Sequence, residues 1–317
     1  MIRKMICAAL AVMLLMSFFS LPVAAYSFEL EPNTGYKPEY YPYVVHTGSA
    51  DWYLAKADID LMGLEAMCAG LEDTLRHQEA DFADARAVLS GCLNGEVPAV
   101  MICTDFSDTA EVSKVASAYY NQRSRFIKVF HRWKDAQAAL LHEYVHYLTL
   151  SCATVSSQHG FWTEGIAEYV SRIVCKNRMS RSVNTNLTEE ETAFFRGKGA
   201  WDPQENCVDD SIRYIGLAEL FRRGFALGQE YFAVSNTFIQ RTEKVQQNPK
   251  PGDLSFFEAA SMTEYLIETC GLDFVCAHWD SDPDHPEDLY GKTFHELYTD
   301  WAEWNTRKCA DLGIVIE

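Results

Sequence analysis

The spacing of apolar residues changes period several times along the chain, and each period predicts an element. Between Asp58 and Leu93 the apolar positions Leu61, Leu64, Met67, Leu71, Leu75 and Phe82 follow helical spacing, ending near Gly95. Tyr43 to Ala55 alternates enough for a strand, and Val97 to Cys103 and Arg125 to Phe130 read as two short strands. Leu140, Leu141, Tyr144, Val145 and Leu148 then supply enough apolar surface to bury a helix, for which Asp135 is a plausible N-cap. Ile166, Val170, Ile173 and Val174 stripe a following helix that Thr163 would cap. Further helices are expected around Glu189 to Phe195, Asp210 to Gly228, Phe256 to Thr269 and Lys292 to Arg307. A β-containing segment thus precedes mostly helical sequence. This predicts an α+β fold with a cleft between two lobes, the Leu140 helix at its floor and the strand Arg125 to Phe130 as its free upper edge.

Composition changes the picture mainly at the N-terminus. Arg3 and Lys4, an apolar run from Met5 to Phe19, and small residues at Val23 and Ala25 predict a secretory signal peptide over residues 1–25, cleaved after Ala25. The run is shorter than a typical membrane span, and no later stretch is apolar enough to cross a bilayer, so the expectation is a secreted, extracellular chain with no membrane partner after cleavage. Residues 26–45, rich in Pro, Gly and Tyr, read as an extended lead-in. Residues 46–317 are then expected to form one domain, with a lobe over 46–150 that includes the Leu140 helix and a helical lobe over 151–317.

Removing Arg3 and Lys4 takes the formal charge from −18 to −20, which disfavours nucleic acid and anionic membrane as partners. Of ten cysteines, Cys7 lies in the signal segment; the remaining odd number in an exported chain predicts mostly disulfides with at least one thiol left over. Cys152 and Cys175 flank the Ile166 helix, where a bridge would clamp it, although spacing does not give connectivity. The turn Ser281 to Pro286 lacks an EF-hand's loop length and glycine, and reads as solvated. Asn186-Leu187-Thr188 fits a glycosylation acceptor.

The chemistry concentrates in His142-Glu143-Tyr144-Val145-His146, an HExxH sequence. Residues four apart share a helix face, so both imidazoles can aim at one zinc ion about 2.0–2.1 Å away. Glu143, roughly 100° around the helix from His142, is placed to hold water and not the metal. A hydrolytic zinc usually takes a third protein ligand, and Phe161-Trp162-Thr163-Glu164-Gly165-Ile166-Ala167-Glu168-Tyr169 offers one. Glu164, in the first turn of the capped helix, can complete the set, while Glu168 one turn on can accept the second ring N–H of a ligand histidine. A third histidine six residues past His146 is absent, since Cys152 stands there, and His159 in a polar loop is a weaker alternative to Glu164.

These two segments together resemble the peptidase MA-like branch of the gluzincin zinc peptidases, in which HExxH is followed by a helix opening W-x-E-G-x-A-x-Y. The likeness extends to Ala260 to Leu266, Gly291 to Leu297 and Trp301 to Trp304, and spans about residues 95–306. It implies a thermolysin-like catalytic domain, a Zn2+ cofactor held by His142, His146 and Glu164, Glu143 as general base, and a peptide or protein substrate. Phe256 stands where family members often carry a tyrosine whose hydroxyl could stabilise the tetrahedral intermediate, and phenylalanine donates no hydrogen bond. Tyr214, Tyr231 and His295 are the candidates to replace it. Two functional classes therefore follow: a secreted zinc metallopeptidase, or a catalytically impaired zinc-binding homologue acting as a peptide- or protein-binding module.

Overall fold

A computed structural model of the chain describes residues 28–107, 118–130, 133–154, 160–175, 201–202, 207–208, 251–278 and 287–311. Over them the protein is α+β, as the apolar periodicity predicts. Strands β1 (Glu31–Pro32), β2 (Tyr43–His46), β3 (Ala50–Leu54), β4 (Val100–Thr104), β5 (Ala118–Asn121) and β6 (Phe126–Val129) form one mixed sheet in the order β1-β2-β3-β4-β6-β5. β3, β4 and β6 run parallel to one another, while β1, β2 and β5 are added antiparallel. A pair of two-residue strands, β7 (Trp201–Asp202) and β8 (Cys207–Val208), stands apart from it.

Register lines up one apolar row across five strands. Val45 lies opposite Trp52, Trp52 opposite Ile102, Ile102 opposite Ile127, and Ile127 opposite Tyr120. Because side chains alternate faces along a strand, that row points to one side, where all five are buried. Helices α1 (Lys56–Met62) and α2 (Leu64–Val88) connect β3 to β4, and α2 packs against α3 (Trp133–Tyr147) in the same core. Phe82 of α2 stacks on Tyr144 of α3 with ring centroids 3.9 Å apart and Trp52 beyond it, so the helix carrying the HExxH sequence rests on aromatic rings. On the opposite face of the sheet the lead-in closes a small cluster, with Tyr36 and Tyr41 against Tyr53 and Cys103.

Several boundaries differ from the periodic reading, each for a local reason. The strand expected over Tyr43 to Ala55 is a hairpin, because Thr47 turns the chain through its N–H and hydroxyl, both donating to the Ala50 carbonyl. The helix expected from Asp58 to Leu93 breaks at Gly63, whose φ of 86° and ψ of 145° suit glycine and not a side-chain-bearing residue. Nothing lies within 4 Å of the position a Cβ would take there, so backbone conformation and not crowding selects glycine. Neither N-cap holds: α3 is already helical at Trp133, which leaves Asp135 inside it, and α4 (Gly160–Cys175) begins ahead of Thr163. Glu164 therefore stands in the second turn of α4, not the first.

The largest correction concerns the cleft edge. β6, expected as the free upper edge, is paired on both sides, by β4 and by β5. Asn121 makes this possible: its side chain accepts from the Ser124 N–H and its carbonyl from the Arg125 N–H, folding a tight turn that lays β5 outside β6. Arg125 sits at φ 53° to complete it. Among the described residues, β5 is the edge of the sheet that packs against α3.

The C-terminal part of the chain contains α5 (Pro251–Cys270), α6 (Leu272–His278), α7 (Glu287–Tyr290) and α8 (Phe294–Asp311), so the last two long helices appear where periodicity places them. α5 packs along α4, and a disulfide between Cys92 and Cys276, 184 residues apart, ties the turn after α2 to α6. Cys152 is a buried free thiol, so it does not clamp α4, and the Cys175 side chain lies outside the described residues. The signal segment 1–25, the helices expected at Glu189 to Phe195 and Asp210 to Gly228, Asn186 and the Ser281 to Pro286 turn also lie outside them. Among the described residues no helix is long and apolar enough to cross a membrane.

Phe82→Ala should remove the aromatic floor beneath α3 and cost about 3–5 kcal/mol of unfolding free energy in urea denaturation, as truncations of buried aromatics do. A loss under about 1 kcal/mol would show that the stack does not brace the helix.

Candidate metal centre

α3 places His142 and His146 on one face, and α4 crosses beside it. Leu141, Tyr144 and Val145 of α3 are buried in the core, as are Ile166, Ala167 and Val170 of α4. The polar face of each helix is thereby turned to the other. After Tyr147 the helix widens into a π-helical turn, Leu148–Cys152, an arrangement frequent at functional sites.

Three side-chain atoms converge between the helices. His142 Nε2 lies 2.9 Å from His146 Nε2 and 3.0 Å from Glu164 Oε2, and His146 Nε2 lies 3.3 Å from the same oxygen. Two ligand atoms each about 2.0–2.1 Å from one ion, at a tetrahedral angle, stand about 3.3–3.4 Å apart. The observed triangle is within a few tenths of an ångström of that. His142, His146 and Glu164 could therefore hold a metal ion, with their donor atoms all within 4.8 Å of one another. The donor set, two imidazoles and a carboxylate, also suits a divalent cation with one position left open.

Glu168 sits one turn beyond Glu164 on α4, with its Oε2 3.8 Å from His142 Nδ1. It thus faces the nitrogen of His142 that points away from the converging atoms. His146 is treated differently: its Nδ1 is buried and has no hydrogen-bond acceptor among the described residues. Among the described residues, a carboxylate thus faces the outer nitrogen of His142 but not that of His146.

Glu143 does not join the triangle. Its Oε2 accepts a 2.6 Å hydrogen bond from the backbone N–H of Tyr120, on the edge strand β5. Tyr120 carried no sequence motif and β5 was not expected; the alternation of Ala118-Tyr119-Tyr120 ahead of a turn-forming asparagine is the signal that could have found it. Phe256 falls within α5, but its side chain and that of His295 lie outside the described residues, as do Tyr214, Tyr231 and His159 entirely.

Electrostatics separate the carboxylates. Burial opposes charge on Glu164, but His146 and His142 more than offset it and hold its pKa well below the ordinary carboxylate range. For Glu143 burial wins: despite the neighbouring histidines and the Tyr120 N–H, its pKa is raised above 4.5. Burial likewise disfavours the charged form of His142, yet its contacts with Glu164 and Glu168 prevail and its pKa stands well above 6.5.

Compared with family models and with curated proteins, the chain matches none.

Two outcomes follow for metal binding. In the metal-free protein the raised His142 pKa stabilises the fold below its ordinary value of 6.5 and loses that contribution as pH rises through the raised value. Glu164, with its lowered pKa, contributes above its ordinary 4.5 and loses that as pH falls. The carboxylates of Glu164 and Glu168 favour a proton on His142, and a metal needs its ring nitrogen free of one, so Zn2+ uptake should release protons. Titration calorimetry in buffers of different ionisation enthalpy measures this, and a buffer-independent heat would contradict it. Glu168→Ala should weaken Zn2+ affinity by about 10–100-fold, with Glu164→Ala doing greater damage. The reverse order in a competitive chelator titration would exchange their roles.

Proposed function

We propose that the chain is a secreted zinc-dependent metallopeptidase of the gluzincin, thermolysin-like kind. The observation that carries this reading is the convergence of His142, His146 and Glu164 with Glu143 beside them but outside the triangle. The sequence resemblance in the two helices and the expected signal peptide over residues 1–25 support it, as does a disulfide, which suits an oxidising compartment.

When bound, Zn2+ supplies a Lewis acid that polarises a carbonyl and lowers the pKa of water towards about 7. The remaining work belongs to the chain. His142, His146 and Glu164 fix the ion's place, and Glu168 steadies the His142 ring through Nδ1. Glu143 takes a proton from the attacking water and returns it to the leaving nitrogen. Burial suits it to that role, because a base works best with a pKa drawn towards the operating pH.

The substrate in this reading is an extended peptide. β5 is the described sheet edge beside α3, and an edge strand can receive a peptide by strand addition, which moves the docking edge from β6 to β5. The competing class, a zinc-binding module without turnover, shares the metal but not the need for Glu143.

Glu143→Gln keeps the side chain's shape and removes the base. Cleavage of a complex peptide library by the metal-loaded protein, read by mass spectrometry, should fall by about two or more powers of ten while metal content stays the same. Equal cleavage by both forms would remove Glu143 from the mechanism, and loss of metal in step with activity would make it a ligand. An inert wild-type protein would favour the binding module.

A further inference from the structure

Edge strands expose alternate backbone groups, and β5 uses one of its own before any peptide arrives. In an antiparallel pair, residues that exchange hydrogen bonds with the neighbouring strand alternate with residues whose N–H and C=O point away from it. The Tyr120 N–H points away from β6 and ends on Glu143 Oε2 at 2.6 Å. Tyr120 is held there by three further features. Its side chain ends the apolar row that crosses the sheet and is buried, with its ring edge-on to Tyr147 of α3 at 6.0 Å. Its hydroxyl shares a 2.6 Å hydrogen bond with Ser151 Oγ, in the π-helical turn that follows α3. One residue thus joins the edge strand to the metal helix at two separated points, Glu143 and Ser151.

We infer that Tyr120 is a positioning residue: its backbone N–H aims the Glu143 carboxylate, and its hydroxyl bond to Ser151 keeps that N–H at a fixed height over the helix. A carboxylate next to the metal ligands has two attractive alternatives to its working pose, the solvent and the metal itself. A hydrogen bond from a rigid sheet to one oxygen removes both and leaves the other oxygen for the reacting water. The inference rests on the peptidase reading for its catalytic consequence, but not for the contact itself. It also bears on substrate docking, because a peptide added to β5 cannot use the Tyr120 N–H while Glu143 holds it and has to take its contacts from other groups on the edge.

The test replaces Tyr120 in the full chain with its α-hydroxy acid counterpart, which turns one amide into an ester and deletes the N–H while keeping the phenol. With Zn2+ loaded, kcat should fall about 10–100-fold, the range expected for loss of a hydrogen bond to a charged group, while KM stays within about twofold and metal content is unchanged. Ser151→Ala and Tyr120→Phe remove the same hydroxyl contact from either side, so each should lower kcat by a similar smaller factor and the double variant by no more than one of them. An unchanged kcat in the ester variant, or a raised KM with kcat preserved, would overturn the inference; the second result would give the N–H to the peptide. A separate readout needs no turnover: the Tyr120 amide proton should move upfield and lose protection from exchange in Glu143→Ala. An amide unmoved by that change overturns the contact. A wild-type protein that cleaves nothing ends the peptidase reading, while the amide signal still decides whether Tyr120 holds Glu143.

Discussion

Two imidazole nitrogens and a carboxylate oxygen, drawn to within 2.9–3.3 Å of one another in a largely buried place, need positive charge among them. Protons can supply part of it, which is why the His142 pKa is raised and that of Glu164 lowered, and a divalent cation supplies all of it. Most of the surrounding architecture serves to keep those atoms together. α3 rests on the Phe82 and Tyr144 stack, α4 is backed by α5, and the disulfide from Cys92 to Cys276 ties the turn after α2 to α6 beside α5. With the apolar sides of α3 and α4 turned into one core, their polar residues are left facing each other.

Glu143 shows how burial and contact divide the labour among like groups. Glu164 and Glu143 are both carboxylates beside the same histidines, yet one has its pKa lowered and the other raised. The difference lies in what each touches. Glu164 meets two ring nitrogens directly, whereas Glu143 is held by a single neutral N–H of β5. Such a division suits one group that binds a cation and another that exchanges a proton.

The parts legible in the sequence are those governed by local periodicity. His142 and His146 had to share a face once their segment was helical, and Leu140, Leu141 and Val145 set which face that was. Glu164 and Glu168 followed by the same rule, even though the caps chosen from residue type, Asp135 and Thr163, were displaced by helices that start earlier. What could not be read was pairing over distance. Nothing local says that Phe126 to Val129 has neighbours on both sides, because that depends on the Asn121 turn bringing β5 back against it. The bridge from Cys92 to Cys276 spans 184 residues and has no spacing rule. Tyr120 was missed for the same reason, since its part in the site exists only once sheet edge and helix meet.

The central claim is that α3 and α4 together hold one metal ion through two imidazoles and a carboxylate. X-ray absorption at the zinc edge on the Zn2+-loaded chain tests it most directly. The account predicts one ion per chain with about four N or O neighbours at about 2.0–2.1 Å and the outer-shell scattering of two imidazole rings. A shell at about 2.3 Å from thiolate sulfur, or a spectrum unchanged when His142 and His146 are both replaced by alanine, would place the metal elsewhere and contradict it.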